Sequence, residues 1–317
     1  SHIIDSLNNV ASQLIVTNQS TARIIAGKAL TLSTGINYEK GKVDALNTLS
    51  TLNISDGEYL LALDQYFKIC DLYEVQKDTN NLVLTYGKII QFYLIIKDFD
   101  LAEKHLAIFG RTASASKNIA AMGMYYLNSA KYYLAKREID LAINSAFVAL
   151  SCFSKSHQRP QEGAVYKFLG DAFVQKKLYT NAEYNYRMAI NLVKEDPGPP
   201  EIAVLYTRLA HICQVLEKND LNLKYNLDAL RIREKLGSPL FIAYSYLNVG
   251  EAYWLLNRKD SAGYFLNKSL KLAEQIKKLS LLEAVNQQLS EFAKVENRHE
   301  DALRYFTKCI EYRDIMT

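Results

Sequence analysis

Residues 241–256, FIAYSYLNVGEAYWLL, place Ile242, Tyr246, Val249, Gly250 and Tyr253 at spacings of three and four, the stripe of an amphipathic helix. Asn257, Arg258, Lys259 and Asp260 form a polar turn, and a second helix is predicted from about Ser261 to Ile276, with Ala262, Phe265, Leu266 and Ser269 on its inner face. Small Gly250 and Ala262 let the two axes approach closely, while Tyr246, Tyr253 and Phe265 fill the flanking space. The predicted unit is an antiparallel helix pair.

The pair recurs. Steps of forty from Ala262 give Ala22, Ala62, Ala102, Ala142, Ala182, Asn222, Ala262 and Ala302, seven alanines in eight positions. The same steps to Tyr246 give Leu46, then Tyr86, Tyr126, Tyr166, Tyr206 and Tyr246, then Asn286. A period in the range of about 20–50 residues marks a repeat architecture, because a lone helix pair cannot bury its apolar face and must stack on neighbours. The expectation is one elongated all-α array of about eight helix pairs, with units near 1–40, 41–80, 81–120, 121–160, 161–200, 201–240, 241–280 and 281–317. Helix breakers fall at the boundaries: EDPGPPEIA (195–203) holds three of the five prolines, and LGSP (236–239) ends the sixth unit. Gly35, Asn80–Asn81 and Lys117–Asn118 occupy equivalent joints, where left-handed caps are expected.

The set Tyr246, Val249, Gly250, Tyr253, Ala262, Leu266 and Ser269, aligned with Tyr166, Leu169, Gly170, Phe173, Ala182, Tyr186 and Ala189, resembles the tetratricopeptide repeat. The likeness extends to Tyr86, Ile89, Ile90, Tyr93, Ala102, Leu106 and Phe109, and to Tyr126, Ser129, Ala130, Tyr133, Ala142, Ala146 and Ala149. It implies a right-handed solenoid over the whole chain. Three features depart from the family pattern. The usual glycine is replaced by Ser50, Ile90, Ala130, Ala210 and Ser290, Asn222 stands for alanine, and the period is forty where the family has about thirty-four. The six extra residues are expected to lengthen the helices or the joints.

Composition narrows the function. A net charge of +4 without a Lys/Arg run does not favour nucleic acid, and the groove positions below form no base-reading code. No stretch approaches about eighteen uncharged apolar residues, so membrane insertion by this chain is not expected, and SHIIDSLNN lacks the form of a signal peptide. Ser1 and His2 have the form of a cleaved-tag remnant, which would make the chain an excised domain. GINYEKGKV (35–43) lacks the spacing, the hydroxyl residue and the preceding strand of a phosphate loop and is read as a joint. SHQRP around His157 is not a histidine-kinase phosphoacceptor box. The five histidines show no metal-ligand spacing, and Cys70, Cys152, Cys213 and Cys309 are read as small apolar side chains on helices. No catalytic residue, metal or cofactor is expected.

In a tetratricopeptide solenoid the first helix of each pair lines the concave face, so the resemblance directs attention to two positions there. The first is Thr48, Lys88, Asn128, Phe168, Arg208, Asn248 and Gln288; the second is Thr51, Gln91, Lys131, Asp171, His211, Glu251 and Glu291. Nearly all are polar, which fits a solvated face as well as a ligand surface. Lys88, Lys131, Lys167 and Arg208 form a basic stretch and Glu251 and Glu291 an acidic one, so an extended peptide with an acidic segment is the expected partner, with Phe168 and Trp254 as apolar anchors. Lys88, Asn128 and Lys131 match the family's clamp for a chain-terminal carboxylate only in part.

The termini carry a second resemblance. DSLNNVASQLIVTNQSTARIIAGKALTLSTGINYEKGKVDALNTLS and HEDALRYFTKCIEYRDIMT are similar to the sensor regions of tetratricopeptide sensor histidine kinases of the Bacteroidetes type. That family has a signal sequence before the repeats, and a connecting helix, membrane span and kinase core after the segment matching YFTKCIEYRDIMT. The resemblance implies a periplasmic or extracytoplasmic sensing module in two-component signal transduction, signalling through curvature or a homodimer at its C-terminal end. A cytoplasmic peptide-binding regulator or assembly scaffold of the same fold is the alternative.

Overall fold

The computed structural model describes residues 1–15, 18–193 and 199–316, and every regular element among them is an α-helix. The chain forms two compact units, Ser1–Gln158 and Arg159–Thr317. The first contains α1 (His2–Leu14), α2 (Gln19–Gly35), α3 (Glu39–Ser55), α4 (Tyr59–Gln76), α5 (Thr79–Ile95), α6 (Phe99–Ala115), α7 (Ile119–Ala135) and α8 (Ile139–Lys155). The second contains α9 (Arg159–Gln175), α10 (Tyr179–Val193), α11 (Pro199–Val215), α12 (Asn219–Leu236), α13 (Pro239–Leu255), α14 (Lys259–Ile276), α15 (Leu279–Val295) and α16 (His299–Met316).

From α2 onward each helix starts twenty residues after the one before it, so the forty-residue period is two equal halves. Described joints beyond α2 are only two or three residues long, and helices such as α3 and α4 run to 17 and 18 residues. The residues added to the family's repeat therefore lengthen both helices.

Identical helix ends enforce this beat. After α2–α9 and α11–α15, a residue two positions beyond the helix end, or one beyond in the 18-residue helices, adopts left-handed φ: Asn37, Gly57, Lys77, Lys97, Lys117 and onward to Asn297. The following amide then bonds back five residues, as in Tyr38 N to Ser33 O (2.8 Å), Asp98 N to Tyr93 O (2.9 Å) and Arg258 N to Tyr253 O (2.9 Å). These are Schellman closures, which satisfy the last carbonyls of a helix. Among the described residues, eleven left-handed positions carry a side chain and two are glycine, Gly57 and Gly237. Gly35 is not such a cap: it is the last residue of α2, and Asn37 takes the left-handed turn. Asn80 and Asn81 likewise lie inside α5; the turn is at Lys77, and Asp78 caps the helix by accepting from Asn81 N. Lys117 does adopt the expected conformation, with Asn118 capping α7. In LGSP, Gly237 is left-handed and Pro239 opens α13, where a missing N–H loses nothing. Residues 194–198 of the proline-rich break lie outside the described residues.

Within each unit the alanine column is the seam between paired helices. Ala22, Ala62, Ala102 and Ala142 in the first unit, and Ala182 and Ala262 in the second, are 0% exposed. Asn222 holds its place in the column because its Nδ2 donates to Ala210 O of α11 at 2.8 Å and its Oδ1 accepts from Asn226. The tyrosine column lies over the second helix: Tyr86 stacks on Phe109, Tyr206 on Tyr225, and Tyr246 leans on Phe265. Gly170 is required by a close approach, since a Cβ there would lie 2.4 Å from Cε1 of Tyr186.

Candidate functional site

In the first unit, Lys88 on α5 donates to Asn47 Oδ1 on α3 at 2.8 Å and sits 5.4 Å over the Tyr66 ring. Burial lowers its pKa. Gln91 is exposed and Lys131 half-buried. Asn128 is not a groove contact: it is 1% exposed, its Nδ2 donates to Met124 O, and a Cβ at Gly87 would lie 3.1 Å from that nitrogen. Its amide fills the gap left by the glycine. Thr48 is also buried.

This unit holds a polar cavity of about 360 Å³ that sequence reasoning missed, between Asp5, Asn8, Asn9 and Ser12 of α1 and Lys40, Asp44, Asn47 and Thr48 of α3. Asp44 is pushed up by desolvation, against the pull of Lys40 and with a further push from Asp5. The signal was absent because α1 precedes the first alanine of the column and has no tyrosine at the equivalent position.

In the second unit Lys167 is half-buried and Phe168, expected as an exposed anchor, is 9% exposed and belongs to the core. Asp171 on α9 accepts from Tyr186 Oη and from Arg208 Nη1 of α11, each at 2.6 Å. Tyr186 is raised, first by desolvation and then by this hydrogen bond. The expected basic stretch is thus not a row of open cations. Arg208 is already paired to a neighbouring helix and Lys88 is held by an amide and a ring.

The remaining expected residues do come together. His211, Asn248 and Glu251 line a cavity of about 180 Å³ bounded by α11, α12 and α13, with Thr207, Gln214, Asn222, Asn226 and Leu255. A second cavity of about 270 Å³, formed by Gln214, Glu251, Trp254, Leu255 and Gln288, shares three of these residues and extends the site to α15. Trp254 is held edge-on against Phe292, centroids 6.1 Å apart. Glu251 makes no hydrogen bond or ion pair with any described residue, and burial alone raises its pKa. Sequence reasoning did not single out Gln214, Asn226 or Leu255. Gln214 lies three residues beyond His211 on the same helical face and was within reach of the periodicity. Asn226 was not, because it comes from a second helix.

The chemistry present suits recognition. Among the described residues no group of three His, Cys, Asp or Glu is placed to hold a metal, and no helix is long and apolar enough to cross a membrane. All four cysteines are free; Cys70, Cys213 and Cys309 are buried, and Cys152 is half-buried. Burial, with Glu74 and Asp71 nearby, pushes Cys70 up to about 12.

No protein-family model matches the chain. Protein KINESIN LIGHT CHAIN-RELATED 2 of Arabidopsis thaliana is 26% identical over 143 residues, which is 44% of this chain and only 22% of that relative. Among solved structures, BtubC (BKLC) of P. vanneervenii superposes with a TM-score of 0.60 at 15% identity, over 70% of this chain and 91% of its own. A Signal Transduction ATPase with Numerous Domains protein of Pyrococcus horikoshii, which carries a tetratricopeptide repeat sensor, gives a TM-score of 0.73 at 14% identity, over 99% of this chain and 48% of its own. At these identities the likeness establishes the fold: the chain is an all-α, tetratricopeptide-type solenoid of paired helices.

Proposed function

We propose that the chain is a non-catalytic protein- or peptide-binding module and that it serves as the extracytoplasmic sensory domain of a bacterial two-component sensor histidine kinase. The single observation that carries the binding reading is the pair of adjoining cavities at His211, Asn248, Glu251 and Trp254, which first helices of neighbouring pairs line with polar side chains. The sensory reading is supported by the likeness of both termini to kinase sensor regions and by the sensor of similar fold in the Pyrococcus horikoshii protein. Leu303, Phe306 and Ile310 are exposed on α16, which supports homodimer contact through the C-terminal end. A cytoplasmic regulator or scaffold is the second reading, favoured by the sequence likeness to the kinesin light chain-related protein.

Reading the gene on both sides of this segment tests the assignment. A signal sequence upstream with a membrane span and kinase core downstream is the expected result. A reading frame without them overturns the sensor role and favours the scaffold.

A further inference from the structure

Three other carboxylates drawn into the structure have cationic neighbours. Asp171 receives Arg208 at 2.6 Å, Glu183 receives Arg187 at 2.6 Å and Lys218 at 2.8 Å, and the nearby charge of Lys40 offsets part of the desolvation of Asp44. Glu251 has neither a cation nor another donor: it stands where the two cavities of the second unit meet, and no described residue donates to it. His211, the other titratable group lining the site, makes no hydrogen bond to it. A carboxylate partly withdrawn from water without a partner is less stable than one in bulk water, and an arriving cation relieves that penalty. The surroundings suit such a guest. Gln214, Asn226, Asn248 and Gln288 offer amide oxygens as further acceptors, Leu255 gives an apolar wall for a methylene stem, and Trp254 supplies a ring for cation–π contact.

We infer that the cavity around Glu251 is the specificity pocket of the module and takes the ammonium or guanidinium end of a lysine or arginine side chain in a bound peptide. This rests on the peptide-binding reading and reverses the charge expected of the ligand at this point of the face. An acidic side chain here would meet a second negative charge with no cation to offset it.

The test selects a random heptapeptide library on the immobilised 317-residue protein and on its Glu251→Gln variant, which keeps the shape of the side chain and removes the charge. The wild-type protein is expected to enrich Lys or Arg at one peptide position by about tenfold or more, and the variant to lose that preference at an undiminished thermal midpoint. Peptides recovered without a cationic preference, or with the same preference in the variant, overturn the pocket assignment and leave peptide binding standing. Recovery of no peptide overturns both. An independent readout exists because Trp254 is the sole tryptophan of the chain. Titration with N-acetyl-arginine amide should change its emission saturably in the wild type, whereas the variant and the neutral N-acetyl-norleucine amide should show no such change. Equal responses to the cationic and neutral probes also overturn the inference.

Discussion

Arg208 of α11 donates to Asp171 of α9 at 2.6 Å, and the same carboxylate oxygen accepts the hydroxyl of Tyr186. A residue that sequence patterning marks as a free groove cation is thereby a tie between successive helix pairs. Its acceptor also closes off the polar end of a tyrosine that is 1% exposed.

The two partners should therefore respond unequally to truncation. Arg208→Ala removes a pair whose side chains are 42% and 28% exposed, and is expected to lower stability by only ~0.2–1 kcal/mol. Asp171→Ala leaves the buried Tyr186 hydroxyl without its acceptor and should cost about 1–3 kcal/mol. Urea unfolding of both variants and of the double variant checks the order; equal losses would contradict it.

Gly170→Ala should cost about 1–3 kcal/mol, because its Cβ would lie 2.4 Å from the Tyr186 ring and the ring cannot retreat without giving up Asp171. Gly27→Ala, where a Cβ meets nothing within 4 Å, is the matched control and should leave the midpoint unchanged or raised. A variant of Gly170 as stable as that control would contradict the close approach.

Lys117 holds a left-handed φ of 54° in a three-residue joint. A side chain in that region costs about 1–2 kcal/mol, partly offset in glycine by its larger unfolded-state entropy. Lys117→Gly should accordingly stabilise the protein by roughly 0.5–1 kcal/mol, measured as a higher urea midpoint at unchanged slope.

How much of this was legible in sequence depended on whether the residue's role repeats. The alanine column meets the same packing demand in most pairs, so Ala62, Ala142 and Ala262 mark the seam from spacing alone. The joints were less legible, because a Schellman turn is set by backbone hydrogen bonds and tolerates Lys, Arg, His, Glu or Asn; Lys77 and Glu217 carry no signal that Gly57 does. In the face columns, spacing puts a residue on a helix side but not at a depth. Asn128 and Phe168 share a column with Arg208, yet the first two are buried and the third is exposed. Pairing was invisible as well, since Asp171 and Arg208 are 37 residues apart and meet only after the helices stack.

Glu251 gives the stability a pH signature. Burial raises its pKa above the ordinary glutamate value of 4.5, so its ionised form is disfavoured in the folded chain. Below that value the group is protonated in both states and no penalty applies. As pH rises through the raised folded value, stability is lost relative to a chain without the charge. Wild type and Glu251→Gln should have matching urea midpoints in acid, and the wild type should fall behind toward neutrality. The other groups facing Glu251 are His211 on α11, the only other titratable one, and uncharged Gln214, Asn222, Asn226 and Gln288. A wild type that gains on the variant with rising pH would contradict an unpaired, partly buried carboxylate.

The most direct test of peptide binding at the first helices is amide hydrogen exchange on the protein with and without a peptide selected from the random heptapeptide library. Added protection is expected in α11, α13 and α15, around His211, Glu251 and Gln288. Protection confined to α12, α14 and α16 would contradict it.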